Sequence, residues 1–124
     1  MNNNKMRVEI KKMWLDALRS GEYKQGQLAL RTDDKFCCLG VLCDLHHKNS
    51  DAELNWEYCG DNSRRMYCPK TYAGDDAFLP KIVMDWAGLA YYECSESIIL
   101  SKLANCNDSG SDFLEIANII EAEL

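Results

Sequence analysis

No apolar run in this chain approaches the ~20 residues needed to cross a bilayer. The opening Met1-Asn2-Asn3-Asn4-Lys5 leads into the mixed run RVEIKKMW and not into an apolar signal core. The chain is therefore expected to stay in the cytoplasm of the cell that makes it. Basic charge is also in short supply, with 14 Lys and Arg against 20 Asp and Glu and a net charge of −6. An acidic chain repels nucleic-acid phosphates in general, so binding to a nucleic-acid polymer is disfavoured. A small anionic ligand needs only two or three cations and is not excluded. The phosphate-cradling patterns GxGxxG and GxxxxGK[ST] are missing, as are HExxH, GxSxG and the zinc-deaminase signature.

Cysteine is abundant: Cys37, Cys38, Cys43, Cys59, Cys68, Cys94 and Cys106. The number is odd and no secretion signal accompanies it, which points to reduced thiols and not to a disulfide framework. No CxxC occurs, although structural zinc sites usually bring two separated pairs of that kind. Cys43 and His47 could share a helix face at i, i+4, and Cys59 or Cys68 would have to complete the site; buried thiols are the simpler reading, and no metal is expected. A thiol nucleophile needs a base that lowers its pKa, and the apolar neighbours Phe36, Leu39 and Val41 argue against one. Asp75-Asp76 and Asp33-Asp34 read as solvated loop or helix cap before general acid and base.

The 124 residues suit one domain, and 47% are apolar, enough for a real core. Residues 5–20 read as a first helix with Val8, Met13, Trp14, Ala17 and Leu18 on its apolar face and Gly21 past its end. Leu28, Leu30 and Thr32 alternate with Gln27, Ala29 and Arg31, which suggests an extended stretch, and Asp33-Asp34 are placed to cap the next helix. Residues 36–47 form that second helix, apolar nearly all round and therefore central. Gly40 costs roughly 1 kcal/mol there relative to Ala, which implies a close contact with another element. His46-His47-Lys48 suit the negative end of that helix.

The polar stretch 46–78 reads as a hairpin and loop insertion. Residues 55–58 and 64–68 would be its strands, Gly60-Asp61-Asn62-Ser63 its turn, and Cys68-Pro69 with Ala73–Asp76 its loop. Pro80 opens a third helix lined by Ile82, Val83, Trp86 and Leu89, with Gly88 near its end. Ser97–Ala104 is strand or short helix. Asn105–Gly110 is a turn, and its Asn107-Asp108-Ser109-Gly110 is read mainly as a lead into the last helix and otherwise as hydrogen-bond acceptors at a pocket rim. Asp112 and Glu115 fit a capping box before the final helix, 113–124. The expected fold is α+β, with four helices packed around a small antiparallel sheet in a single compact domain over 1–124.

Three stretches carry a resemblance: WLDALRSGEYKQ (14–25), FCCLGVLCDL (36–45), and LPKIVMDWAGL (79–89) with the tail LANCNDSGSDFLEIANIIEAEL (103–124). Together they are similar to a group of small phage and prophage proteins, over most of the chain except 46–78. Cys106 intrudes before Asn107-Asp108, and Asp112 stands where Ser or Thr is more usual in that group. The resemblance implies a phage-encoded accessory protein and brings no catalytic residue with it. By analogy such a protein acts by binding.

The expected function is a non-enzymatic binding protein that sequesters a nucleotide-type bacterial immune signal, such as a cyclic oligonucleotide or an ADP-ribose derivative, as a homo-oligomer in the host cytoplasm without a cofactor. Arg19, Tyr23, Gln25, Arg31, Arg64 and Arg65 would hold phosphate or ribose, and Trp56 or Tyr67 would stack on a base. Two alternatives are direct inhibition of a host defence protein and a small hydrolase acting on nucleotides.

Overall fold

The computed structural model describes residues 6–27, 29–49, 54–58, 64–69, 81–89 and 94–124. They fold as an α+β domain with five helices and a five-stranded mixed sheet. The helices are α1 (Val8–Ser20), α2 (Cys38–Asn49), α3 (Lys81–Ala87), α4 (Cys94–Asp108) and α5 (Phe113–Glu123). The strands are β1 (Lys24–Gln25), β2 (Arg31–Thr32), β3 (Lys35–Phe36), β4 (Leu54–Tyr58) and β5 (Arg64–Pro69), in the spatial order β1-β3-β2-β5-β4. All pairings are antiparallel except β1 with β3, which is parallel.

Helix α2 is the hub. It packs against α1, α3 and α4, and every residue from Cys38 to Asp44 is buried. Its start lies two residues later than the sequence suggests, because Phe36 is claimed by β3. Gly40 faces the Leu30 carbonyl so closely that a Cβ would collide with the oxygen. The close contact expected of this glycine is thus with the turn that leads into β2. The same Leu30 carbonyl accepts the Cys37 N–H at 3.1 Å, which seats the first turn of α2 against that segment. The Trp14 indole of α1 donates to the Cys38 carbonyl at 3.0 Å, satisfying a fully buried N–H.

Helix α1 turns Ile10, Trp14 and Leu18 inward and ends on Gly21, whose φ of 80° gives the left-handed C-cap expected of it. Val8, placed on the apolar face by its spacing, is instead 79% exposed. In α3, Val83 and Met84 are buried while Ile82 is 43% exposed, so the inward face is rotated from the expected one. Gly88 is left-handed at φ 80°, and Arg7 crosses it with its N–H on the Ala87 carbonyl at 2.8 Å. The capping box of α5 is present: Asp112 Oδ1 accepts the Glu115 N–H at 2.9 Å, and Glu115 Oε1 accepts the Asp112 N–H at 3.1 Å. Phe113, Ile116, Ala117, Ile120 and Leu124 are all buried, as the periodicity requires.

Further expectations change: the described helices number five and not four, and the sheet is mixed and not antiparallel throughout. Asp33 and Asp34 form the two-residue turn of the β2–β3 hairpin and cap no helix; Asp33 sits at φ 54°, a region that Asp tolerates better than most residues. The strand expected over 64–68 is present as β5 and runs on to Pro69, so no loop begins at Cys68. Ser97–Ala104 is helical, and α4 runs on to Asp108, so only residues 109 and 110 turn before α5. The 60–63 turn, the 73–76 loop, Pro80 and Leu28 lie outside the described residues. Among the described residues no helix is long and apolar enough to cross a membrane.

Candidate functional site

One cleft of about 400 Å³ opens between β1, the β2–β3 hairpin and α2. Glu22, Tyr23, Lys24, Arg31, Asp34, Phe36, Asp44 and Lys48 line it. Its floor is organised by Asp44, an acidic residue that follows the apolar first half of α2 and is only 7% exposed. A buried carboxylate is costly unless it is hydrogen-bonded. Here Oδ2 accepts the Tyr23 hydroxyl at 2.7 Å, Oδ1 accepts the Trp56 indole N–H at 3.2 Å, and Lys48 approaches Oδ2 at 3.3 Å from the next turn of the helix. Burial and then the Asp44 hydrogen bond push the Tyr23 phenol above its ordinary pKa, so it stays protonated and donating at neutral pH. Lys48 also donates to the Tyr23 oxygen at 3.2 Å, and that bond raises its own pKa.

Three rings stand together above this floor. Tyr23 meets Phe36 edge-on at 5.1 Å between centroids, and Phe36 meets Trp56 edge-on at 5.8 Å. The Arg31 guanidinium lies over Phe36 at 4.9 Å and over Trp56 at 5.5 Å, and its Nε donates to the Asp33 carbonyl at 2.6 Å. Such cation–π seating fixes the plane of the guanidinium. Lys24 pairs with Asp34 at 3.1 Å across the cleft mouth, which holds the Asp34 carboxyl below its usual range.

Of the residues chosen from sequence, Tyr23, Arg31 and Trp56 meet here. Arg65 stands in register with Arg31 across the β2–β5 pair, Arg64 with Thr32, and Tyr67 with Trp56 across β4–β5. The side chains of Arg64, Arg65 and Tyr67 lie outside the described residues, so their placement rests on backbone register. Arg19 is not brought to the cleft. It binds Glu121 at 2.6 Å and Asn118 at 3.1 Å, and so ties α1 to α5.

Gln25 turns to the other side of β1, where its amide donates to Asn107 Oδ1 at 2.9 Å and to the Ser111 carbonyl at 2.7 Å. Asp44 and Phe36 belong to the core segment, and Lys48 suits the helix end on charge alone, so none of the three stands out in the sequence as a site residue. The i, i+4 spacing of Asp44 and Lys48 was the one local signal.

Asn107, expected mainly as a turn residue and otherwise as an acceptor at a pocket rim, stands in a helix and accepts from within the core. It is fully buried in the last turn of α4. Its Oδ1 also accepts the Cys38 N–H at 3.2 Å, and its Nδ2 donates to the Gly26 carbonyl at 2.7 Å. Helix α2 thus receives a distant cap for an N–H at its start. Gln27 Nε2 completes the cluster on the Asn107 carbonyl at 3.1 Å.

The cysteines do not form a reactive centre among the described residues. Cys37, Cys38 and Cys43 are buried, and burial pushes the Cys37 thiol up to about 11 and the other two well above their ordinary value. Thiols held protonated are poor nucleophiles and poor metal ligands. Among the described residues no group of three or more His, Cys, Asp or Glu is placed to hold a metal ion. The arrangement offers fixed donors, aromatic faces and exchangeable cations, which is the equipment of a binding cleft.

No curated protein matches the chain, and no solved structure does. A family model matches residues 6–124, nearly the whole chain and every element described above, and the chain belongs to that family, Domain of unknown function (DUF8296).

Proposed function

We propose that this protein is a non-enzymatic binding protein that takes a small nucleotide-type anion in the cleft between β1, the β2–β3 hairpin and α2. In keeping with the resemblance to phage proteins, its role would be to sequester a bacterial immune signal, as a homo-oligomer in the host cytoplasm. The observation that carries the reading is the convergence of Arg31, Lys24 and Lys48 with the rings of Tyr23 and Phe36 at one opening, with Trp56 packed behind against Arg31, Phe36 and Asp44. Phosphate is recognised by Arg and Lys, and a base or ribose by aromatic edges and faces.

The cleft carries Glu22, Asp34 and Asp44 as well, so it is not electropositive as it stands. The Lys24–Asp34 pair is well exposed on both sides, and such pairs contribute little, so Lys24 can exchange Asp34 for a phosphate at small cost. Lys48 is 61% exposed, and if it leaves Asp44 the carboxylate keeps its indole and phenol donors. Asp44 is buried at the base of the cleft with its phenol and indole donors fixed on it, which favours a structural use over that of a general base.

The test is calorimetric titration of the protein with cyclic di- and trinucleotides and cyclic ADP-ribose derivatives, followed by heat denaturation and chromatography of the released ligand. Binding with intact ligand recovered, and loss of binding in Arg31→Met, is the expected result. Chemically altered ligand would establish an enzyme instead. No binding by any of these ligands, together with stoichiometric capture of one host protein from lysate, would replace the proposal by direct inhibition of that protein. Native mass spectrometry of the same samples reads the oligomeric state.

A further inference from the structure

The β2–β3 hairpin has two faces, and each face lines a cleft. Its register pairs Arg31 with Phe36 and Thr32 with Lys35. Successive residues of a strand point to opposite sides. Arg31 and Phe36 accordingly line the cleft described above, while Thr32 and Lys35 line a second cleft of about 400 Å³ with Gln25, Gly26, Gln27, Gly110 and Ser111.

The walls of the second cleft are braced from behind by Asn107, which binds the Gln25 amide, the Gly26 carbonyl and the Gln27 amide. Gly26 lets β1 approach so closely that a Cβ would come within 3.0 Å of the Lys35 Cβ. Gly110, at φ 111°, makes the turn that presents Ser111 at the rim. Lys35 differs from Lys24 and Lys48 in having no salt-bridged carboxylate among the described residues.

We propose that this second cleft is a separate binding site for a phosphorylated polyol, with the phosphate on Lys35 and Thr32 and the hydroxyls against Ser111 and the amide oxygens of Gln25 and Gln27. Three features of the lining choose this class. Among the described residues the lining holds one ammonium and no carboxylate, which suits an anionic group. Among the described residues no aromatic ring lines it, so none of them offers a base a face to stack on, in contrast to the first cleft. The Gln25 amide hydrogens are both spent on Asn107 and Ser111, which leaves its carbonyl oxygen to accept from a hydroxyl.

Ribose 5-phosphate is the probe, titrated into the ¹⁵N-labelled full chain. The backbone amides of Gly26, Gln27, Thr32, Lys35, Gly110 and Ser111 should shift and saturate. Lys35→Met should weaken binding about tenfold, the loss expected for one charge-assisted contact. Arg31→Met should leave it unchanged. Equal binding of neutral ribose, or indifference to Lys35→Met, would overturn the site. Equal binding of inorganic phosphate would overturn the polyol assignment. Loss of binding in Arg31→Met would show one site and not two, and absence of any saturable shift would end the proposal. None of these outcomes depends on whether the first cleft binds a nucleotide.

Discussion

Gly40 of α2 and the carbonyl of Leu30 are in contact so close that no side chain fits between them. The glycine that weakens α2 as a helix is the residue that lets the central helix lie against the start of the β2–β3 hairpin. Helix propensity favours Ala at an interior position by about 1 kcal/mol. The clash lies with backbone, which cannot swing away, and overpacking of this kind costs about 1–3 kcal/mol or more. Gly40→Ala should therefore destabilise the protein despite its better propensity, and urea denaturation reads the difference. A variant as stable as the parent would show that α2 shifts freely on the hairpin.

The buried thiols provide a second prediction. Cys37, Cys38 and Cys43 should resist iodoacetamide at pH of about 8 in the folded protein and react readily in urea, because burial keeps them protonated and inaccessible. Peptide mapping by mass spectrometry distinguishes them from Cys106, which is only half-buried. Rapid labelling of Cys37 in the native state would contradict the core role of the FCCLGVLCDL segment.

Asn107 should be among the costliest polar side chains to remove. Asn107→Ala strands the Cys38 N–H, the Gly26 carbonyl and the Gln25 amide in or near the core. Leaving buried groups unpaired costs about 1–3 kcal/mol apiece before relaxation, so a total loss of roughly 2–4 kcal/mol is expected. Asn107→Asp keeps the acceptor and loses the donor to Gly26, and it places a charge in the core. It should also destabilise, with a loss that grows as pH rises through the carboxylate range. Thermal denaturation at several pH values checks both variants.

His46 makes stability depend on pH near neutrality. Burial, in contact with the Trp86 ring at 5.0 Å, lowers its pKa below the ordinary 6.5, with His47 adding to the effect. The unfolded chain then binds more protons than the folded one as pH falls through about 6.5, so stability rises with pH in that range and is lost on acidification. The midpoint of thermal denaturation should drop between pH of about 7.5 and about 5.5, and His46→Phe should flatten the slope. The carboxylates of Glu9, Asp34 and Glu121 are held below their ordinary values and lose their ion pairs only at more acidic pH, outside this window.

Much of the fold was legible because its signals are local. The capping box of α5, the glycine end of α1, the β4–β5 hairpin and the burial of α2 each follow from residues within one element. Strands β1, β2 and β3 hold two residues each, too short for any period to register, and the parallel β1–β3 pairing joins Lys24 to Lys35 with β2 intervening in the sequence. Ile98–Leu103 is apolar in a way that strand and helix share. The site was half legible for the same reason. Arg31, Tyr23 and Trp56 could be chosen by chemistry, but their meeting point, Asp44, lies 21 residues from Tyr23 and 12 from Trp56. Asn107 bonds to partners 69 to 82 residues away, and nothing in its neighbourhood distinguishes it from an ordinary turn asparagine.

The two-residue turn Asp33-Asp34 carries a wider consequence. Strand register is what assigns Arg31 and Phe36 to one cleft and Thr32 and Lys35 to the other. Inserting or deleting a single residue in β2 would swap Arg31 and Thr32 between the two clefts while Phe36 and Lys35, held by the β1–β3 pairing, stayed in place. Relatives that differ in length at this point would then carry altered ligand preferences on an unaltered scaffold, and the six residues 31–36 would act as the chain's specificity cassette.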